Sequence, residues 1–500
     1  MSVTLPHKTE TNKKKGLDIL IAASEAAPLA KAGGLGDVAG SLPLALRDLG
    51  CRVTVMLPAY REAISRLDSA RVTARDLPVR LGKTSLNADM LVGKMATGVQ
   101  ACLVRQDALF DRDGIYGETG EDYPDNAVRF IFFSKSIPVF CRATGFHPDV
   151  ILANDWHTGL VMALLAEGVL PRTAGIFAIH NMGYLGLVPY EERDKIGLPE
   201  SYYGIEGLEF HGRLSMLKAG IVYARAITTV SPTYAREIQT PEAGAGLDGL
   251  MRSVRPRLHG ILNGVDYGVW DPATDRHLAE NYTSRDLSGK RACKKDLLRS
   301  AGLPEGLIDR PLIGMVTRLV DQKGCGLVAE AAEKIFSMDT GLVLLGKGDR
   351  SFHDLFSELR ARNPDRLSLN LGFDPVLAHK IIAGCDIFLV PSLYEPCGLT
   401  QLYSLKYGTI PVVRATGGLR DSVLDPEEGP GPGNGFKFEA FQAAEMLGAL
   451  SRALRTFRDE ETWHSMMKGA MSKDFSWRHS AAEYLSVFDK VLESRRGGKA

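Results

Sequence analysis

The sequence lacks the marks of several protein classes. Lys+Arg and Asp+Glu each number 60, so the formal charge is +0 and there is no basic excess of the kind that nucleic-acid-binding and membrane-surface proteins carry. The 7 cysteines are odd in number and never form Cys-x-x-Cys, which argues against a disulfide framework or a zinc knuckle. No stretch approaches the ~18 uninterrupted apolar residues of a membrane span. These absences predict a cytoplasmic protein with a small or uncharged partner, and no nucleic-acid or membrane partner.

The chain does have the length and the apolar material for more than one domain. With 500 residues, 45% of them hydrophobic, it exceeds what a single core usually serves, so two domains are predicted. Residues 1–15 are polar, end in Lys13-Lys14-Lys15 and lack the apolar stretch of a secretory signal. We expect a disordered extension there.

A repeated pattern of a short apolar run, a glycine-bearing turn and an amphipathic stretch predicts an α/β fold. In the first half, runs with the length and branching of buried parallel strands begin at Leu17, Arg52, Val150 and Gly175. The pattern therefore predicts a first doubly wound sheet.

The same pattern restarts in the second half and predicts a second doubly wound sheet. Between the two halves, residues 263–275 carry glycine, proline and three aspartates, which is typical of a hinge. We expect domains at 16–262 and 276–475, with the ligand in a cleft beside the hinge. The strand-like runs of the second half are 311–316, 341–346, 367–371, 386–390 and 410–413.

Two glycine-bearing segments predict anion-binding loops. Residues 31–37 near the start, and residues 395–400 together with 416–419 near the end, follow β-like runs and precede helix-like sequence. Free backbone N–H groups and a helix dipole can hold an anion in such a place. One ligand held from both halves is the simplest interpretation. Taken alone, the first segment is equally well explained as a tight turn with an exposed Lys31.

Two cations follow the strand-like run that ends at Val316. Arg318, as a bidentate fork, and Lys323, as a compact charge, would hold a diphosphate, whereas for two such cations taken alone an ordinary solvated loop is the more common case. His180 ends another run, where a structural histidine is the more common case. Asp111-Arg112-Asp113 is interpreted as a solvated turn, and no metal site is predicted.

Six motifs then occur in a recognisable order. They are Lys31-Ala32-Gly33-Gly34-Leu35-Gly36-Asp37, Asn154-Asp155-Trp156-His157, His180-Asn181, Asn263-Gly264-Val265-Asp266, Arg318 with Lys323, and Glu395-Pro396-Cys397-Gly398-Leu399-Thr400. With this order and spacing, from about Leu17 to about Phe488, the chain resembles bacterial glycogen synthases and plant starch synthases.

The resemblance implies a fold and an activity. The fold is that of the B-type glycosyltransferases, in which two Rossmann-like doubly wound domains face each other across a cleft. The N-terminal domain is the acceptor side, the C-terminal domain is the nucleotide-sugar side, and a last helix within 476–500 returns to the first domain. The implied activity is retaining transfer of glucose from ADP-glucose to the non-reducing end of an α-1,4-glucan, glycogen, without a cofactor.

The resemblance also implies roles for single residues. The catalytic residues it implies are His180, Glu395, Arg318 and Lys323, with Glu395 acting through sugar binding and charge stabilisation rather than as an established nucleophile. The substrate-binding residues it implies are Lys31, Gly33, Gly34, Asp37, Asp155, Asn181, Asn263, Phe373, Cys397, Gly398, Leu399 and Thr400. His157 is only a supporting candidate.

The chain departs from the family pattern at three of its residues. Ala32 stands where threonine is more frequent. Tyr403 stands where many related transferases have a second glutamate, a pattern also seen in glycogen synthases. Phe373 stands where tyrosine is frequent; its ring could stack on a purine, and a core phenylalanine is an equal alternative.

Other functions remain to be weighed against this one. A transferase of the same fold could use another nucleotide sugar or acceptor. A catalytically silent glucan-binding protein would have no physical need for diphosphate cations such as Arg318 and Lys323. A phosphorylase would need a lysine-bound pyridoxal phosphate, and no motif names such a lysine.

Overall fold

The computed structural model describes residues 16–118 and 121–497, without the side chains of residues 496 and 497. The expected disordered extension, residues 1–15, lies outside the described residues.

The chain divides into two compact units. The first comprises the described parts of Met1–Ile176, Gly186–Arg225 and Phe488–Ala500, and the second comprises Phe177–Leu185 and Ala226–Val487. The domain limits expected from the sequence, and the return of the last helix to the first domain, stay predictions.

The strands alternate with helices along most of the chain. In chain order the strands are β1 (Asp18–Ala22), β2 (Arg52–Pro58), β3 (Asp68–Leu81), β4 (Thr84–Lys94), β5 (Gln100–Arg105), β6 (Gly117–Glu118), β7 (Glu121–Asp122), β8 (Val150–Asn154), β9 (Ala174–Ile179), β10 (Leu187–Pro189), β11 (Glu209–Phe210), β12 (Arg213–Ser215), β13 (Ala226–Thr229), β14 (Leu258–Gly260), β15 (Leu312–Val316), β16 (Gly341–Gly346), β17 (Leu367–Leu371), β18 (Ile387–Val390), β19 (Ile410–Arg414) and β20 (Phe436–Phe438).

The helices range from single turns to more than five turns. In chain order they are α1 (Gly34–Asp48), α2 (Arg61–Ser65), α3 (Asp107–Phe110), α4 (Asn126–Thr144), α5 (Trp156–Ala166), α6 (Arg193–Ile196), α7 (Met216–Tyr223), α8 (Pro232–Glu237), α9 (Asp248–Ser253), α10 (Ser288–Ser300), α11 (Cys325–Ser337), α12 (Arg350–Arg362), α13 (Pro375–Gly384), α14 (Thr400–Lys406), α15 (Gly417–Ser422), α16 (Ala443–Phe457), α17 (Glu460–Met471) and α18 (Trp477–Gly497). Every helix of the described ranges is too short or too polar to pass through a lipid bilayer.

The larger sheet has nine strands in the order β14-β13-β9-β8-β1-β2-β5-β4-β3. Strands β8, β1, β2 and β5 pair in parallel, and the β3-β4-β5 edge is antiparallel. The four predicted strands are confirmed as β1, β2, β8 and β9. Side chains such as Ile21, Val55 and Leu152 are buried, as expected when both faces of a parallel sheet are covered.

The second sheet has six parallel strands in the order β17-β16-β15-β18-β19-β20. This is the strand order of a doubly wound Rossmann sheet, so the predicted second sheet is confirmed. Leu344, Phe388 and Val412 of its strands are buried in one core with Val328 of α11 and Leu450 of α16.

The expected hinge, residues 263–275, is held by aromatic and polar contacts within the second unit. The Trp270 ring stacks on His379, with ring centroids 3.8 Å apart, and on Tyr403, with centroids 4.1 Å apart. Asp275 Oδ2 lies 2.7 Å from His379 Nδ1. Tyr403, at the place of the second glutamate of related enzymes, is thus a stacking partner of this segment. The hinge function stays a prediction.

Candidate active site

The predicted site residues follow the carboxyl ends of parallel strands, where open α/β sheets bind ligands. Strands β1 and β8 lead into the first-unit loops that carry Lys31 and Asp155. Strand β9 leads to His180, β15 to Arg318 and β18 to Glu395, and these three residues belong to the second unit. Each unit presents its own group of candidate residues.

Lys31 and Asp37 form an ion pair at the start of α1 in the first unit. Lys31 Nζ lies 2.7 Å from Asp37 Oδ1, and both side chains are partly exposed. Surface pairs of this kind contribute little to stability. Lys31 therefore keeps its charge close to solvent, where a ligand anion can compete for it.

The buried carboxylate of Glu25 occupies the turn that precedes α1. Its Oε2 accepts hydrogen bonds from the backbone N–H groups of Ala32, at 2.6 Å, and Gly33, at 2.8 Å. Its Oε1 accepts a hydrogen bond from the Tyr116 hydroxyl at 2.9 Å. The expectation of free N–H donors in this turn is wrong for Ala32 and Gly33, because a carboxylate of the protein itself already binds them.

Glu25 also explains a glycine in the first turn of α1. A Cβ atom on Gly36 would lie 2.9 Å from Glu25 Oε2 and 3.0 Å from Cγ of Lys31, so a larger residue would displace one of these side chains. A Cβ atom on Gly33 would lie 3.6 Å from Glu25 Oε1, an ordinary contact. Sequence reasoning missed Glu25, although an acidic residue between an apolar strand and a glycine turn was a usable signal.

Asp155 and His157 open helix α5 beyond β8. Asp155 has φ 53°, in the left-handed region that a side chain rarely adopts, and such conformations cluster at functional sites. His157 is buried among aromatic rings and stacks on Tyr116 with ring centroids 4.9 Å apart. This packing is that of a supporting residue.

Lys323 and Glu395 form a largely buried ion pair in the second unit. Lys323 Nζ lies 2.6 Å from Glu395 Oε2, and the two side chains are 17% and 10% exposed. The Ser392 hydroxyl donates to the same carboxylate oxygen at 2.9 Å. With water largely excluded, each charge stabilises the other more than it would at the surface.

Arg318 differs from Lys323 because its hydrogen-bond partner is neutral. Its Nη2 donates to Gln322 Oε1 at 3.2 Å, and in the described part of the chain Arg318 takes part in no ion pair. Gln322 Nε2 donates in turn to the Tyr394 carbonyl at 3.1 Å. The two cations predicted to bind the diphosphate, which we call the diphosphate clamp, therefore differ. The charge of Lys323 is neutralised by Glu395, whereas the charge of Arg318 is not neutralised.

His180 and Asn181 lie directly beyond β9. Burial lowers the pKa of His180 to about 4, so its imidazole is neutral near pH 7 and offers one hydrogen-bond donor and one acceptor. Asn181 Oδ1 accepts a hydrogen bond from the Gly183 N–H at 2.9 Å. Its side chain also hydrogen-bonds the Tyr394 hydroxyl, which joins this turn to the Glu395 loop.

Cys397 and Asn263 lie together in the second unit. The backbone of Asn263 hydrogen-bonds the Cys397 thiol, and burial raises the pKa of that thiol to about 12. The thiol is therefore neutral, which fits a pocket-lining residue and not a nucleophile. Asn263 itself is buried, and its side-chain carbonyl oxygen has no hydrogen-bond partner among the described residues.

The Gly398 turn before α14 is held by Gln401. Gln401 Nε2 donates to the Cys397 carbonyl at 3.1 Å and to the Gly398 carbonyl at 2.9 Å. Gly398 has φ 69°, and a Cβ atom there would lie 2.3 Å from Gln401 Oε1. Only glycine fits both constraints. Leu399 is the N-cap of the seven-residue helix α14, which begins at Thr400.

The Thr416-Gly417-Gly418 turn supports the Glu395 loop. Its expected free N–H groups are not free: Gly417 N–H donates to Glu237 Oε1 at 3.0 Å, and Gly418 N–H donates to the Glu395 carbonyl at 3.2 Å. The Thr416 hydroxyl donates to the same Glu237 oxygen at 3.0 Å. This expectation is therefore wrong for Gly417 and Gly418.

Phe373 lies just beyond β17 and is 83% exposed. This exposure excludes the core alternative and leaves the ring accessible for stacking. Among the described residues, no hydrogen bond or ring contact links it to the other candidates.

The contacts thus bring several predicted residues together within the second unit. Hydrogen bonds through Tyr394 and Gln322 link Asn181 to Arg318. Lys323 forms an ion pair with Glu395, and the backbone of Asn263 hydrogen-bonds Cys397. The supporting residues that sequence reasoning missed are Glu25, Glu237, Ser392, Tyr394 and Gln401. Most of them adjoin a motif, which was the available signal.

Comparisons with known proteins identify the family of this chain. Residues 18–253 match the family described as the starch synthase catalytic domain, and residues 305–469 match the glycosyl transferases group 1. A glycogen synthase of Desulfatibacillum aliphaticivorans is 47% identical over 482 residues, which cover 96% of this chain and 100% of that protein. A glycogen synthase of Moorella thermoacetica is 44% identical over 490 residues, which cover 96% and 98%.

Solved structures support the same fold. The catalytic domain of starch synthase IV from Arabidopsis thaliana, bound to ADP and acarbose, has a TM-score of 0.89 and 33% identity, covering 96% of this chain and 100% of that chain. Sucrose-phosphate synthase from Thermosynechococcus elongatus has a TM-score of 0.61 and 16% identity, with coverage of 95% and 99%, which speaks for the fold alone. The predicted B-type glycosyltransferase fold is confirmed. Since identity to curated glycogen synthases extends over almost the entire length, the chain belongs to the glycogen and starch synthase family and is a glycosyltransferase.

Proposed function

We propose that this protein elongates glycogen in the cytoplasm by transferring glucose from ADP-glucose to the non-reducing end of an α-1,4-glucan, with retention of the anomeric configuration. The observation that carries the proposal is the second-unit contact group, in which the Lys323–Glu395 pair and Arg318 follow neighbouring parallel strands. The starch synthase that resembles this chain is bound to ADP and acarbose, which supports a nucleotide and a glucan as its ligands.

The diphosphate of the donor is assigned to the cations. Arg318, whose partner is the neutral Gln322 amide, has its full charge available for an incoming phosphate. Lys323 serves both the leaving diphosphate and Glu395, so its charge is shared. Preorganised cations stabilise negative charge as it develops on a leaving group. The backbone of Gly398, Leu399 and Thr400 is assigned to the distal phosphate, and Lys31 adds a further cation.

The glucose moiety is assigned to polar groups beyond the strand ends. A neutral imidazole can accept as well as donate a hydrogen bond, whereas a protonated one only donates, and His180 is assigned to a hydroxyl group of the glucose. Asn181 adds an amide, and Asp37, Asp155 and Asn263 complete the set, with Gly33 and Gly34 allowing close approach. Glu395 stabilises the positive charge that develops on the sugar, while Lys323 restrains its carboxylate.

The adenine is assigned to Phe373. Its ring is exposed, and a purine can stack on it without a hydroxyl group on the ring. Cys397 contributes a small neutral side chain to the pocket.

A direct assay tests the donor and the acceptor together. Incorporation of labelled glucose into glycogen is measured in parallel from ADP-glucose and from UDP-glucose, and ADP and UDP binding are compared by titration calorimetry. We expect incorporation from ADP-glucose and tighter binding of ADP. A clear preference for UDP would overturn the donor assignment, and absence of incorporation from either sugar would overturn the function.

The Glu395→Gln variant provides the matched test of mechanism. Glutamine keeps the size of the side chain and its contacts with Ser392 and Lys323, and it removes the charge. We expect turnover to fall by roughly two to three powers of ten, as for loss of one preorganised electrostatic group. Turnover close to that of the unmodified enzyme would remove Glu395 from the site.

A further inference from the structure

Tyr394 precedes Glu395 and touches a distant stretch of the chain through its hydroxyl group. The Asn181 side chain hydrogen-bonds the phenol oxygen of Tyr394. The same oxygen lies 3.5 Å from the point that a Cβ atom on Gly183 would occupy. Two separate observations therefore place this hydroxyl beside the turn of residues 181–183.

The Asn181 amide has only one orientation that satisfies its neighbours. Its Oδ1 accepts the hydrogen bond of the Gly183 N–H at 2.9 Å, so the amide nitrogen is left to face the Tyr394 oxygen. An amide held at both ends cannot rotate without breaking one of these bonds. The Tyr394 hydroxyl is one of the two groups that anchor the Asn181 amide, and the Gly183 N–H is the other.

The backbone of Tyr394 is itself fixed by Gln322. The Leu393 N–H donates to the Gln322 carbonyl at 2.8 Å, and Gln322 Nε2 donates to the Tyr394 carbonyl at 3.1 Å. Gln322 also holds Arg318. The phenol ring thus extends from the backbone segment that carries Glu395, and its position is set independently of Asn181.

We infer that Tyr394 is a positioning residue, whose hydroxyl group fixes the Asn181 amide in the orientation needed to bind the donor glucose while its backbone carries Glu395. This inference rests on the proposed function, because it takes Asn181 as a glucose ligand. Tyr394 itself touches no substrate in this role. A phenylalanine at this position would keep the ring and lose the anchor.

The chemistry of the phenol suits this role. Burial raises the pKa of Tyr394, so the group stays a neutral hydroxyl near pH 7, which accepts from the Asn181 amide and keeps its own proton. A rigid ring with one polar tip restricts its partner more than a flexible side chain does. Misplacement of a substrate ligand by even a small distance slows transfer.

The test is the Tyr394→Phe variant, measured with ADP-glucose and glycogen. We expect kcat/KM for ADP-glucose to fall about two- to tenfold, the factor that one hydrogen bond is worth. The Kd of ADP should not change, because ADP has no glucose moiety. A change in kcat/KM without a change in ADP affinity is not expected from a purely structural residue.

A double-mutant cycle with Asn181→Ala isolates the contact. Once the amide is absent, the hydroxyl has nothing to position, so Asn181→Ala with Tyr394→Phe should be as active as Asn181→Ala alone. The control is Tyr203→Phe, which removes a hydroxyl that hydrogen-bonds Leu198 and Arg193 in the first unit, and it should leave the kinetics unchanged.

The possible results separate the inference from the function on which it rests. Unchanged kinetics in Tyr394→Phe, or effects of the two substitutions that multiply in the double variant, would overturn the inference alone. Loss of activity in step with a lower melting temperature would make the hydroxyl structural and overturn it as well. Unchanged kinetics in Asn181→Ala would remove Asn181 from the proposed glucose site, and the inference with it.

Discussion

At the scale of single residues, the two cations Arg318 and Lys323 of the second unit have different surroundings. Lys323 and Glu395 neutralise each other in a place with little water, whereas Arg318 binds a neutral amide. Removal of one member of a buried pair leaves the other without compensation, which is more harmful than removal of an unpaired surface charge. The two cations that look equivalent in the sequence should therefore behave differently when they are replaced.

Arg318→Ala and Lys323→Ala should both slow glucose transfer, with turnover falling more than ADP affinity, because the charge of the diphosphate is greatest in the transition state. Only Lys323→Ala should also lower the free energy of unfolding, by about 1–3 kcal/mol, because it leaves the buried Glu395 carboxylate without its cation. Kinetics, ADP titration and urea unfolding provide the measurements.

Lys380→Ala is the control for this pair of variants. Lys380 forms a partly exposed ion pair with Asp296 at 2.9 Å, and its loss should alter neither kinetics nor stability appreciably. If Arg318→Ala or Lys323→Ala had the kinetics of the unmodified enzyme, the assignment of these cations to the diphosphate would be wrong. Equal loss of stability in both would contradict the asymmetry.

His180 should make the stability of the protein depend on pH. Its pKa is about 4 in the folded protein against 6.5 in the unfolded chain, so the unfolded state binds more protons between these values. Stability is therefore retained above pH 6.5 and falls as the pH is lowered towards 4. Between pH 7 and pH 5 we expect this residue to account for a loss of about 1–2 kcal/mol.

Urea unfolding of the unmodified protein and of His180→Asn at both pH values measures this contribution. Asparagine does not titrate, so the variant should lose less stability between pH 7 and pH 5. Equal losses in the two proteins would contradict the low pKa of His180.

At the scale of elements, glycine turns bring loops together. Gly417 has φ 44°, and a Cβ atom there would lie 2.0 Å from the Glu395 carbonyl oxygen. The turn that opens α15 is thus in close contact with the backbone of the Glu395 loop. Its N–H groups serve Glu237 and that loop, so the element supports the site instead of binding an anion.

Gly417→Ala should therefore lower both stability and activity. The added methyl group meets backbone, which cannot move aside, in a conformation that alanine rarely adopts. We expect the melting temperature to fall by several degrees, since about 1–3 kcal/mol is lost. Thermal unfolding and glucose incorporation measure the two effects.

Gly326→Ala is the matched control for this substitution. Gly326 lies inside α11, and a Cβ atom there meets nothing within 4 Å. Alanine should be neutral or stabilising by up to about 1 kcal/mol, because it favours the helix. An active Gly417→Ala enzyme with an unchanged melting temperature would contradict the supporting role of the turn.

Much of the element pattern was predictable, and the exceptions have physical causes. The parallel strands are apolar because both faces are covered, so their sequences identify them. Strand β3 is mostly exposed and rich in charge, so no apolar run marks it and it was not predicted. The antiparallel β3-β4-β5 edge depends on pairing between these strands, which apolar runs do not encode.

At the scale of the whole molecule, we predict that ADP binding makes the protein more compact about residues 263–275. Enzymes commonly close around a bound nucleotide by movement at a short connecting segment. Small-angle scattering with and without ADP plus a glucan measures the radius of gyration, which should decrease. An unchanged radius, with binding confirmed by calorimetry, would contradict this prediction.

The sequence by itself determined the α/β class, the presence of two doubly wound sheets, the family and the motifs, because strand length, apolar character and motif order are properties of local stretches. Tertiary structure decided which groups those motifs meet. Glu237 reaches Thr416 across 179 positions, and the Lys323–Glu395 pair spans 72. A backbone N–H group looks free in a sequence until the fold brings a carboxylate to it, and hydrogen-bond partners so distant in the chain are chosen by packing alone.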